Sequence, residues 1–183
     1  MALYAGETVR FTTRVSEDRS KRAALPIPAA VTVTVKSGDE ATTHLEPVAM
    51  TLEKLQVRFA TGGSETTLVD STRSWLKDQW RDKVVRIISG QGAGQERRIK
   101  SNTATMLTID ADEVVNGVPV GQFTSPPDAT SEYEIVDCVY EVTWDSPAAL
   151  ANTSLVAIVR ATQAAPHAYT AAEKLHFRLE GAV

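Results

Sequence analysis

The chain has one cysteine, Cys138, so no disulfide can form within it. That excludes a disulfide-stapled fold and leads us to expect synthesis in a reducing compartment, or simple independence of disulfides. Aromatic residues make up only 6% of the sequence, which leaves few rings for a sugar-stacking groove once a core is filled. No apolar run approaches the roughly 20 residues needed to span a bilayer. The opening MALYAGETVRF lacks a basic stretch followed by an apolar one, so no secretory signal is expected. Net charge is −4 with a pI near 5.4, which excludes the basic footprint of a nucleic-acid-binding domain and mainly favours solubility.

What is present is alternation. Val9, Phe11, Thr13 and Val15 fall on one face of Thr8–Val15, with Arg10, Thr12 and Arg14 on the other. Val31, Val33 and Val35 alternate along Ala30–Lys36 in the same way. The charged run Ser16–Arg22 between them reads as a solvated loop, and LPIPAA is barred from a central strand by its two prolines. SGDE is a turn with Gly38 as its permissive residue. Thr42–Leu45 and Met50–Phe59 read as extended. Further on, Tyr140, Val142 and Trp144 share a face, Leu155–Ala161 is a buried-type strand, and Leu175, Phe177 and Leu179 alternate in a last one.

Residues 1–58 and 138–183 therefore read as two parts of one β-sandwich, interrupted by a block at 59–137 with its own strands. Those strands are expected at Thr66–Val69, Lys83–Ser89, Gln95–Lys100, Met106–Ile109 and Tyr133–Val136. Between Asp70 and Trp80 the pattern predicts a helix of one or two turns, capped by Asp70 or Ser71. Trp75, Trp80, Val85, Ile87, Ile99, Leu107, Ile109 and Tyr133 are the candidate core of the block.

Several residues merit weighing as sites. Gly90, Gly92 and Gly94 superficially suggest a phosphate loop, but they run at spacing two and lead into a strand, so a hairpin turn is expected. Gly92→Val is then harmful if φ there is positive. Asn102 suits a left-handed turn position. Asp110, Asp112 and Glu113 place hard oxygen ligands close together, yet no calcium-loop pattern surrounds them and a solvated loop is expected. Glu96, Arg97, Arg98 and Lys100 read as strand charges available to a partner surface. His44, His167 and His176 are scattered without zinc spacing. Cys138 reads as a small buried residue at the domain junction. Phe123 with Pro126-Pro127 either covers an edge or sits in an exposed loop. Catalytic, cofactor-binding and metal residues are all expected to be none.

The block also carries a recognisable pattern. GGSETTLVDSTRSWLKDQWRDKVVRIISGQGAGQERRIKSNTATMLTID, closed by YEIVD, resembles a small β module found in structural proteins of tailed bacteriophages. The run Gly90–Asp110 matches most closely. At Arg81-Asp82 the chain departs from the glycine turn expected there. The flanks, YAGETVRFTTRV, YEVTWDSPAALANTSLVAIVRAT and AEKLHFRL, resemble immunoglobulin-like domains of phage virion proteins, without the Cys…Trp…Cys pattern of true immunoglobulin domains. The resemblance implies an all-β fold, an immunoglobulin-like β-sandwich interrupted by an inserted small β-barrel-like domain. It further implies a non-enzymatic, multi-copy virion protein, made in the host cytoplasm, that binds major capsid, neck or tail proteins and neither nucleic acid nor membrane. Capsid decoration or a head-fibre base is the first expectation, with a neck, tail or baseplate adaptor second. A carbohydrate-binding host-adhesion module and a hydrolase acting on cell wall or capsule are the rivals.

Overall fold

The computed structural model describes residues 3–16, 25–115, 118–163 and 169–181. The protein is all-β, with its sheets in a sandwich-like arrangement, as the alternating runs predict. The expected loop at Ser16–Arg22 lies, from residue 17 onward, outside the described residues, as does His167.

In chain order the strands are β1 (Leu3–Tyr4), β2 (Thr8–Arg14), β3 (Ala30–Ser37), β4 (Thr43–Ala49) and β5 (Thr51–Phe59). Then come β6 (Gly62–Ser64), β7 (Thr67–Val69), β8 (Val84–Ser89), β9 (Glu96–Asn102) and β10 (Met106–Ile109). The hairpin β11 (Val114–Val115) and β12 (Val118–Pro119) precedes β13 (Glu132–Asp145), β14 (Ser154–Gln163) and β15 (Tyr169–Glu180). A single 3-10 turn, Ala148–Leu150, is the one helical element among the described residues.

The chain divides into two compact units. The outer unit comprises Met1–Thr13, Pro28–Leu52 and Val139–Val183; the inner comprises Arg14–Ile27 and Glu53–Cys138. In the outer unit a five-stranded sheet runs in the order β1-β15-β14-β3-β4. Every pairing in it is antiparallel except the parallel β1–β15 contact. Val31, Val33 and Val35 are buried on one face, paired in register with Ala161, Val159 and Ala157 of β14. The second layer holds β2 and the latter part of β13. Phe11 on β2 stacks 6.3 Å from Trp144 and meets Phe177 of β15 edge-on at 5.8 Å. Aromatic pairs at such distances add about 0.5–1.5 kcal/mol beyond the area they bury.

The inner unit carries the sheet order β13-β8-β9-β10-β7-β6, antiparallel throughout. All eight expected core residues of the block are buried in one cluster, joined by Ala60, Leu68, Phe123 and Ile135. Tyr133–Val136 and Val139–Asp145 are not two strands but successive halves of the 14-residue β13. Cys138, buried as expected, ends the inner unit's half with φ +52°. Residues 14–27 group with the inner unit, where Leu25 and Ile27 are buried and the Ile27 amide donates to Glu96 Oε2 at 2.8 Å.

Three local expectations fail. Asp70–Trp80 is a series of turns, not a helix. Asp78 there adopts φ +58°, and the amides of Thr72 and Leu76 donate to the side chains of Asp70 and Gln79 instead of to helical carbonyls. In the SGDE turn Glu40, not Gly38, takes the positive φ, at +62°. Asn102 sits buried in β9, where its amide accepts from the Trp80 N–H at 2.8 Å and donates to the carbonyls of Leu76 and Thr103. The departure at Arg81-Asp82 has a simple resolution: Asp82 adopts the left-handed φ of +64° that glycine would take.

Candidate interaction surfaces

Gly90, Gly92 and Gly94 form the β8–β9 hairpin, with φ of +75°, +81° and +86°. A Cβ on Gly90 would lie 1.9 Å from the Thr130 carbonyl oxygen, so the loop is packed shut by backbone rather than opened to a phosphate. Gln95 completes the closure by donating from Nε2 to the Ser125 carbonyl and accepting at Oε1 from the Thr124 amide.

The β9 charges expected to face a partner are instead mostly internal. Arg98 is 1% exposed and its Nε lies 3.1 Å from Glu113 Oε2, itself buried. That pairing removes Glu113 from the acidic cluster; Asp112 is exposed and Asp110 half-buried, and the three do not gather into a ligand set. Arg97 is also buried: its guanidinium lies 5.5 Å over the ring of Phe123 and donates to the Gln122 carbonyl at 2.6 Å. Burial lowers the Arg97 pKa, with the Glu96 carboxylate opposing the shift. Phe123, whose place the sequence left open, is 1% exposed. Lys100 alone of the four β9 charges is exposed.

Two further carboxylates are locked inside the inner unit. Asp70 accepts from Tyr133 Oη at 2.8 Å, Thr72 N at 3.0 Å, Thr72 Oγ1 at 2.5 Å and Arg73 Nε at 3.1 Å. Burial disfavours its ionised form, but the donors outweigh that and hold its pKa below the usual range. Burial, then the bond to Asp70, pushes the Tyr133 phenol well above its ordinary value. Glu134, fully buried, receives Arg86 Nε at 2.7 Å and Lys54 Nζ at 3.0 Å. Nearby Glu96 has its pKa raised, chiefly by burial. Asp70 and Tyr133 form one set and Glu134, Arg86 and Lys54 another, each paired within the inner unit.

The outer unit distributes its charge differently. Its Lys and Arg residues are Arg10, Lys36, Arg160, Lys174 and Arg178, outnumbered by its Asp and Glu. Arg10 pairs with Glu141 across β2 and β13. The other four lie on β3, β14 and β15 at positions whose register sets them on the face opposite Val31, Val33 and Val35. His176 joins them there and is exposed. A depression of about 230 Å³ on this face is lined by Thr34, Lys36, Glu46, Pro47, Ile158 and Arg160. His44 lies half-buried on β4. Among the described residues, Phe59, Leu76 and Val114 are the large apolar side chains that the inner unit exposes.

Nothing local in the sequence told that β3, β14 and β15 are neighbours, so the gathering of Lys36, Arg160, Lys174 and Arg178 on one face was not legible. Comparison of the chain with protein-family models, with curated proteins and with solved structures finds no match.

Proposed function

We propose that the protein is a non-enzymatic structural and attachment protein of a tailed-phage virion, binding neighbouring virion proteins in many copies. Capsid decoration or a head-fibre base is the preferred place, and a neck, tail or baseplate adaptor the alternative. The resemblance of Gly62–Asp137 to the phage module motivates this reading. The observation that carries it is the distribution of charge: the inner unit buries Arg98 against Glu113 and Glu134 against Arg86, while the outer unit sets Lys36, Arg160, Lys174 and Arg178 on one sheet face. Such a face favours lateral contacts that repetition strengthens, because multivalency amplifies weak contacts. A glycan-adhesion reading is less well supported, since Trp75, Trp80 and Trp144 are all buried.

The test is to image intact particles with an antibody or genetically encoded label on this chain. Label at regular positions on head or tail supports the proposal. Particles that lack the chain, with the protein recovered only free in the lysate, contradict it.

A further inference from the structure

In the outer unit's five-stranded sheet, the described residues cover the β15 edge only in part. Among the described residues β1 meets β15 only at Leu179 and Glu180, although β15 extends back to Tyr169. The ladder fixes which amides face that edge. Leu179 N–H donates to the Thr153 carbonyl on the β14 side, and the Glu180 carbonyl accepts from Ala5 N–H on the other. The β14–β15 register runs unbroken from Ser154↔Arg178 to Gln163↔Tyr169. Even-numbered residues of β15, Ala172, Lys174 and His176 among them, therefore turn their backbone N–H and C=O away from β14.

The side chains along the same edge are not neutral. Lys174, His176 and Arg178 stand at spacing two on one face of β15, all exposed, and Arg160 and Lys36 continue the positive charge onto β14 and β3. On the other face Leu175 is 58% exposed at the edge. Glu40 already sets its carboxylate 2.5 Å from Lys174 Nζ, an internal instance of the pairing this row accepts. Both partners are exposed enough for that contact to exchange readily.

We propose that the open edge of β15 takes an extended acidic segment of another polypeptide, adding a strand beside Ala172–His176. Its backbone bonds the outward amides and carbonyls. Its alternate carboxylates fall beside Lys174 and His176 and within diagonal reach of Arg178, and the residues between them, apolar, fall beside Leu175. A second copy of β15 is the wrong occupant: paired antiparallel with itself, it would set cations opposite cations, which destabilises a sheet. Nucleic acid is also disfavoured, because the acids of this unit outnumber its bases and would repel phosphate. The inference goes beyond the proposed function and stands without it.

The experiment uses the full chain and a fluorescent peptide of alternating Glu and Val, followed by anisotropy. Controls are a Glu-Glu-Val-Val order of the same composition, an alternating Lys-Val peptide and oligodeoxythymidylate. The alternating Glu peptide is expected to bind best, and binding to weaken with salt. Lys174→Glu with Arg178→Glu is expected to weaken it about tenfold. Ala172→Pro, which removes one outward amide and leaves the β14 pairing intact, is expected to weaken it as well. No binding, equal binding of the reordered or Lys peptide, tighter binding of the oligonucleotide, or indifference to the charge variants would overturn the proposal. So would a dimer in sedimentation that Ala172→Pro abolishes. The charge reversals lie on exposed side chains, so they keep the test decisive if the proline variant misfolds.

Discussion

At the residue scale, backbone conformation and buried charge separate positions that look alike in sequence. Gly90 and Gly94 share a loop and a positive φ, but a Cβ on Gly90 meets the Thr130 carbonyl while one on Gly94 meets open space. Gly94→Ala is expected to cost about 1–2 kcal/mol, the strain of the left-handed conformation alone. Gly90→Ala should cost clearly more, and equal urea midpoints for the two variants would contradict this. Gly92→Val combines φ +81° with a Cβ 2.8 Å from the Ser125 carbonyl, so it is harmful by the same criterion. The Arg98–Glu113 pair gives a second contrast. Arg98→Met leaves the Glu113 carboxylate buried without its partner and should cost about 3–5 kcal/mol, whereas adding Glu113→Leu should restore much of that. Chemical denaturation of the three proteins decides it. Alternation could not reveal this pair, because a cation in a charged run such as Glu96-Arg97-Arg98 is ordinarily on a solvated face. Glu113 is brought to it only by the loop that follows β10.

At the scale of elements, the longer strands and the Gly90–Gly94 hairpin were legible, while the short strands β1, β6, β11 and β12 and the turns of Asp70–Trp80 were not. Period-two runs placed β2, β3 and β15, and apolar runs placed β8, β10 and β14, because each of these strands declares its apolar content within a few residues. The segment Asp70–Trp80 misled, since Trp75 and Gln79 at helical spacing are outweighed by hydrogen bonds that the amides of Thr72, Leu76 and Trp80 donate to the side chains of Asp70, Gln79 and Asn102, the last on a strand far along the chain. That loop is pinned to the core by Asp70 and Tyr133, which yields a pH prediction. A carboxylate with a depressed folded pKa contributes stability that is present above its unfolded value, near 3.8, and lost as pH falls through the folded one. Tyr133→Phe removes one donor, so its acid-unfolding midpoint should move to higher pH than that of the wild type. An unchanged midpoint would show that Tyr133 does not support the Asp70 charge. Glu96 works in the opposite sense. Its folded pKa is raised, so it contributes stability below its unfolded value, near 4.5, that is lost as pH rises through the folded one. Glu96→Gln can still accept from the Ile27 amide, and should flatten the dependence of stability on pH just above that value. An unaltered slope would assign that dependence to other groups.

For the whole molecule, the chain leaves one β unit, builds another and returns, with β13 carrying it from the second into the first. That nesting was read from two sets of strands separated by a block with its own core. The attachment of residues 14–27 to the inner unit was not, since it depends on a bond from Ile27 to Glu96 across the sequence. Function, on this account, belongs to what the outer unit shows its neighbours. The most direct test is a cryo-electron microscopy reconstruction of the intact particle that carries the protein. The account predicts copies of the two-unit body at regular positions on the particle, held by contacts to neighbouring virion proteins. A particle in which the chain is absent, or purified protein that turns over a substrate in a cleft of its own, would contradict it.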